Sequence, residues 1–171
     1  KHAVSAAILG QMVRAKAEQG LKAPGIHRTY LALVEGKVVP VSGVIDAPIA
    51  RQEDRCLRRV VDFKRGDRAV THYRVLTGWQ TGNAQKFRSL VKLQLETGRT
   101  HQIRVHMAYL GCPLAGDWLY GKEEPELIGR PALHSYALKL IHPVTGEVLE
   151  LTAPLPADME RLMKDMKSDH I

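Results

Sequence analysis

Apolar and polar positions along this chain switch between a period of two and a period near 3.6, and the switches mark its elements. Arg28-Thr-Tyr-Leu-Ala-Leu-Val34 is rich in strand-forming residues and is closed by Glu35-Gly36, which predicts a strand ending in a turn. Val38 to Ile45, interrupted by Pro40, predicts a pair of short segments forming an edge hairpin, with Asp46-Ala47-Pro48 turning the chain. Leu57 to Phe63, Ala69 to Leu76 and Phe87 to Leu95 read as further strands. A turn at Lys64 to Asp67 and a loop from Gly78 to Asn83 separate them. In the last of these strands Phe87, Val91, Leu93 and Leu95 favour one face. Leu133 to Ile141 alternates as a strand, and Thr145-Gly146 turns it into a hairpin partner, Val148 to Leu151.

Helical spacing occurs in three places. Lys1 to Gly20 carries Ala3, Ala6, Ala7 and Leu9 to Val13 on one side, Arg14, Lys16 and Glu18 on the other, and Gly20 as a stop. A second helix follows Thr97-Gly98, with Thr100 as its expected N-cap, Ile103, Met107 and Leu110 as its stripe and Gly111 as its end. A third runs from Asp158 to about Lys167 behind Met159, Leu162, Met163 and Met166. Pro113 to Gly121 reads as a loop dense in glycine and aromatics, and Lys122 to Gly129 as a solvated acidic insertion. Helices do not alternate with strands, so the expected fold is α+β: a mixed, largely antiparallel sheet with flanking helices.

Composition narrows the class. With 171 residues, 44% of them hydrophobic and 25% charged, the chain has the core and the surface of one globular domain. No apolar run approaches the length of a membrane span, so no membrane partner is expected. Cys56 and Cys112 lie far apart without ligand spacing, which reads as isolated thiols in a reducing, cytoplasmic setting. The net charge of +7 is unevenly spread. Most of the excess lies between Arg51 and Arg104, in a stretch that includes Arg58, Arg59 and Arg65, and such a concentration suits a phosphate backbone.

Several chemistries drop out on pattern. The eight histidines form no cluster with ligand spacing, so no metal is expected. There is neither a G-x-S-x-G elbow nor a glycine-rich nucleotide loop. What remains centres on Arg99-Thr-His-Gln-Ile-Arg104. This short helix start spends Arg99, His101, Gln102 and Arg104 beside an apolar stripe, as an ordinary wet surface or as the wall of an anion site. Arg104 lies among small and apolar neighbours, and a partly buried guanidinium needs an anion: a structural carboxylate, a phosphate or a catalytic carboxylate. Asp117, between Gly116 and Trp118, either braces its loop through backbone N–H groups or serves the chemistry, with Trp118 and Tyr120 packed on the helix or offered to a base. Tyr30 either packs in the core or lies over a planar substrate at the sheet's edge.

The order of these segments resembles the RluA-type pseudouridine synthases. HRTYLALVEG (27–36), AVTHYRVL (69–76), LETGRTHQIRVHMAYLGCPLAGDWLYG (95–121) and LHSYALKLIHPVTGEVLELTAPLP (133–156) are similar to that family's motifs in sequence order, most strongly over 28–160, and 1–171 is then one partial catalytic domain. The resemblance implies isomerisation of uridine in structured RNA, with large-subunit ribosomal RNA the first expectation and transfer RNA the second. It implies no cofactor and no obligate protein partner, and a single catalytic aspartate. It makes Tyr30 the residue stacking on the target base and Arg104 the partner of the catalytic aspartate, with Ile103 and Leu133 as pocket walls. Arg99, His101 and Gln102 are then expected beside the substrate, and Arg58, Arg59 and Arg65 on the RNA backbone. Asp117 matches a position that looks structural. The family's H-R-L-D-x-x-T-S-G motif does not occur here. The aspartate is therefore expected outside these residues, Arg104 is expected to lack its anion, and the chain alone is expected to be inactive. The alternative is a non-catalytic RNA-binding relative that has lost the nucleophile.

Overall fold

A computed structural model of the chain describes residues 26–53, 57–81, 86–142 and 145–164. The helix expected over Lys1 to Gly20 lies outside the described residues, as do Met166 and Lys167. Six strands form one sheet in the order β2 (Ser42–Asp46), β5 (Val70–Gln80), β6 (Phe87–Leu95), β1 (Ile26–Glu35), β7 (Leu133–Ile141) and β8 (Val148–Thr152), with every described pair antiparallel. A separate two-stranded ribbon pairs β3 (Ile49–Arg51) with β4 (Arg59–Val61). Helix α1 (Gln102–Tyr109) follows β6, and α2 (Ala157–Lys164) closes the described chain. The architecture is α+β, as expected.

Central β1 shows why the sheet is covered on both sides. Leu31, Ala32, Leu33 and Val34 are all buried, and strand alternation divides them between two cores. Ala32 and Val34 join Val91, Leu93, Ile103 and Met107 on the α1 face. Leu31 and Leu33 join Leu90, Trp79, Met159 and Leu162 on the α2 face. Segments after α1 are sewn to the same strand: Glu35 N–H donates to Pro113 O (2.8 Å) and Ala115 N–H to Leu33 O (2.9 Å). The loop carrying Asp117 therefore starts from a fixed edge of β1.

Four boundaries differ from the sequence reading. Gly78, Trp79 and Gln80 continue β5 instead of opening a loop, because Trp79 is buried in the α2 core. Val38 to Ile45 gives one edge strand, β2, and no hairpin. Residues 122–129 are anchored as well as acidic. Ile128 is buried, and Glu124 takes Lys86 Nζ (2.6 Å) and Arg88 Nη2 (3.5 Å). Arg88 itself is buried against Glu35 (2.7 Å), so this member of the basic stretch serves the fold. Lastly, Thr100 is not the N-cap of α1. That position is His101, in the left-handed region at φ 59° and without a side-chain cap. The entry turn is closed instead by Gln102 reaching backward.

Gln102 is the hub of a buried polar chain in which every proton can be placed. Its Oε1 accepts from Thr97 Oγ1 (2.8 Å) and Arg99 N–H (3.0 Å), and its Nε2 donates to Val70 O and Thr71 Oγ1 (both 3.0 Å). Val70 N–H donates to Thr97 Oγ1 (2.9 Å). His106 must donate from Nε2 to the acceptor-only carbonyl of Ala47 (2.9 Å), so its Nδ1 accepts from Thr71 Oγ1–H (2.8 Å). The network ties α1 to β5 and to the turn after β2 with no polar group wasted.

Burial holds the His106 imidazole below its ordinary value of 6.5, opposed by the Ala47 carbonyl and the charge of Asp46. His101 is lowered too, first by burial and then by Arg104 and Arg59. A histidine kept neutral in the fold gains its proton on unfolding, so the unfolded state binds more protons. Stability should then be full above about pH 6.5 and fall as the pH drops below it. Urea midpoints at pH 7.5 and 5.5 check this, and H106Q should flatten the dependence while costing about 1–3 kcal/mol at pH 7.5.

Candidate active site

Helix α1 and the loop that follows it meet at one ion pair. Arg104 donates through Nε to Asp117 Oδ2 (2.8 Å) and through Nη2 to Oδ1 (2.7 Å), a two-pronged contact. Asp117 has 0% exposure, and Oδ1 also accepts the N–H groups of Leu119 and Tyr120 (both 3.1 Å). The carboxylate thus braces its own loop and holds the guanidinium. This corrects the expectation that Arg104 lacks an anion in this chain: Asp117 supplies one. Gly116 makes the approach possible. Its φ is +68°, and a Cβ there would meet Ile128 Cγ2 at 2.6 Å and Arg130 O at 2.7 Å. Nη1 of Arg104 has no hydrogen-bond partner among the described residues.

Tyr120 organises the other side of Arg104. The guanidinium carbon lies 4.9 Å from the centre of the tyrosine ring, and that of Arg58 lies 5.5 Å from it. The hydroxyl accepts Arg59 N–H (2.8 Å) and sits 2.9 Å from His101 Nδ1. With the imidazole neutral, the arrangement that uses every donor has Tyr120 O–H donating to Nδ1, which leaves the ring proton on Nε2. Burial raises the Tyr120 hydroxyl above its ordinary value, so it keeps its proton. His101 meets the ring edge-on at 5.6 Å. Its left-handed backbone is an uncommon state for a non-glycine residue, of the kind found where a side chain must be placed.

The remaining expected residues fall in four places. Tyr30 and Leu133 are half-buried and pack against the α1-side core, of which Ile103 is a buried member one residue before Arg104. Tyr30 pairs with Leu93 on one side and Ser135 on the other, where a bulge breaks the register with β7. Arg59, Arg65 and Arg99 line a cleft beside the ribbon. Arg58 lies instead against Tyr120. Gln102 is buried with both ends of its amide occupied by protein groups, which corrects its expected place beside a substrate. Sequence reasoning missed the Arg104–Asp117 pair and the part played by Tyr120. The one available signal was Gly116-Asp117 followed three residues later by a tyrosine. Among the described residues, no three His, Cys, Asp or Glu side chains come together as a metal ion would require, and no helix is long and apolar enough to cross a membrane.

Comparison with known proteins gives a consistent result. Residues 6–109 match the family model described as RNA pseudouridylate synthase. The chain is 50% identical over 139 residues to the RNA pseudouridine synthase YjbO of Bacillus subtilis, covering 81% of this chain and 46% of that protein. It is 44% identical over 165 residues to the ribosomal large subunit pseudouridine synthase D of Xanthomonas campestris, covering 87% of this chain and 46% of that protein. The chain spans about half the length of the curated relatives it matches. Among solved structures it is similar to human RNA pseudouridylate synthase domain containing 1, with a TM-score of 0.66, 26% identity and coverage of 88% of this chain and 69% of that one.

Removing one member of a buried ion pair strands the other, at a cost of about 3 kcal/mol or more. D117N and R104M should each lose about that much in urea unfolding. The double variant should lose clearly less than their sum, with a coupling above about 1 kcal/mol.

Proposed function

The chain belongs to the RNA pseudouridylate synthase family, in its RluA-type branch, and on that premise we propose that the protein carrying it converts specific uridines of structured RNA to pseudouridine. Large-subunit ribosomal RNA is the proposed substrate, and the cytoplasm the proposed setting. The reaction breaks the C1′–N1 bond, turns the uracil and joins C5 to C1′, after which the proton on C5 leaves. N1 takes up a proton as C5 gives one to solvent, so composition and oxidation state are unchanged and no cofactor is called for. A carboxylate from outside these 171 residues takes part at C1′, and the 171 residues are inactive without it.

The observation that carries this reading is the state of Arg104. Asp117 holds two of its nitrogens, while Nη1 is unclaimed among the described residues. A guanidinium fixed in this way is preorganised to keep a second carboxylate ionised and in place. Among the carboxylates described here, Asp62 is occupied by the N–H groups of Lys64 and Arg65, and Asp67 by Arg99. Neither is set up to attack a sugar carbon. Tyr30, half-exposed above a core that includes Ile103 and flanked by Leu133, offers an apolar surface on which a uracil can lie. The uridine must leave its stack to reach that surface, and the cost is least in loops and bulges.

Loss of the C5 proton gives a direct assay. The full-length protein should release tritium from unmodified large-subunit ribosomal RNA transcribed with 5-tritiated uridine. R104K keeps a charge beside Asp117 but loses the fork, and Y30F keeps the ring but loses the hydroxyl that assists removal of the C5 proton. Both should bind RNA normally and release tritium at least about 100-fold more slowly. RNA binding by the full-length protein without any release would overturn the enzymatic reading in favour of a non-catalytic RNA binder.

A further inference from the structure

A cleft of about 470 Å³ lies along the ribbon, and its walls are dominated by Arg51, Arg59, Arg65 and Arg99, with Asp67 as the one carboxylate among the described residues. The ribbon explains how so many like charges converge. Ile49 pairs with Val61 across β3 and β4, and both pack with Val105 of α1. Two residues along, on the same face by strand alternation, Arg51 stands directly opposite Arg59. Like charges facing each other across a ladder destabilise it. The apolar contact thus extends into a pair of guanidinium groups over the turn Gly98 to Thr100, which forms the opposite wall.

That wall is held in place. Arg99 donates through Nε to Arg68 O (3.0 Å) and through Nη1 to Asp67 (3.3 Å). Arg65 is held through Nε by Asp62 (3.0 Å) and through Nη1 by Glu53. The side chain of Arg51 makes no hydrogen bond or ion pair with the described residues. Among the described residues the cleft has no aromatic wall, and Ile49 and Ala50 are its only apolar side chains, a lining that does not suit a nucleobase. A phosphodiester suits it: a compact charge with several acceptors, and the geometry guanidinium groups match.

The cleft is also tied to the candidate active site. Arg59 lines it, while the N–H of the same residue is bound by Tyr120 Oη, whose ring lies against Arg104. On the other wall, Thr100 is followed by His101, which meets the same hydroxyl. We propose that this cleft binds a backbone phosphate of the RNA strand close to the target uridine, fixing the strand's position relative to Arg104. The assignment rests on the RNA-modifying reading above and names the site through which the backbone is gripped.

The test uses full-length protein, unmodified large-subunit ribosomal RNA transcribed in vitro, and inorganic phosphate as a separate probe. R51A should weaken RNA binding several-fold and lower the slope of log affinity against log salt by about 1. R51K should restore the slope, and R51A/R59A should lower it by about 2. Tritium release by R51A at limiting RNA should fall by about the same factor as its affinity for that RNA. Unchanged urea midpoints show that the ribbon still folds. An unchanged salt slope in R51A/R59A, with normal tritium release, overturns the cleft and leaves the enzymatic reading standing. Millimolar inorganic phosphate that protects the protein from unfolding in an Arg51-dependent way, without any change in RNA slope, would assign the cleft to a free phosphate and overturn the backbone assignment. Failure of the unsubstituted protein to bind or modify the RNA removes the enzymatic reading and the cleft's role together.

Discussion

A carboxylate sealed from water must be answered by a cation, and in this protein that demand falls at Asp117. The guanidinium of Arg104 answers it with two hydrogen bonds, and two backbone N–H groups take up the rest of one oxygen. Most of the local architecture follows from satisfying that charge. Gly116 must lack a side chain so that the loop can fold in, the loop must start from the edge of β1, and α1 must present its first turn to the loop. Tyr120, three residues further on, is then delivered against Arg104 and holds the ribbon by the N–H of Arg59. An arrangement that looks designed around the arginine is equally the arrangement that keeps a buried aspartate from being a liability.

A neutral network complements the charged one. Gln102, Thr71, Thr97 and His106 tie α1 to the strands beneath it without any ionised group. The two systems divide the helix: Gln102 and His106 bind it down to β5 and the turn after β2, while Arg104 reaches across to the loop. A histidine serves the first system only while uncharged, and burial keeps it so. The helix is therefore fixed by interactions that do not compete for the arginine, and Nη1 is left for other use.

The sheet was legible from the sequence wherever one period dominated. β6 has the bounds its alternation implied, and β1 and β7 lie where β-forming residues accumulate. The errors arose where a tertiary contact overrode a local signal. Gly78 reads as a turn, but Trp79 beside it is drawn into the α2 core and the strand runs on. Thr100 reads as a cap, but the backward reach of Gln102 leaves the capping position to a left-handed His101. At the site, the importance of Arg104 was legible because a charge stood among apolar neighbours. Its partner was not, since a pair separated by 13 residues and a folded loop leaves no periodic trace. Arg51 and Arg59 were visible as charge, yet only the register of the ribbon sets them face to face.

The strand order has a consequence for how the protein is made. β1 is the first described strand to leave the ribosome, but its neighbours in the sheet are β6 and β7, which are synthesised far later. Until residue 141 has emerged, the strand bearing Tyr30 has an unpaired edge, and the hairpins formed meanwhile have to wait for it. Tyr30 therefore gains its neighbours on both sides only once β7 has been made. The order of synthesis and the order of the sheet thus oppose each other, and the central strand is completed after all but one of the other described strands have been made.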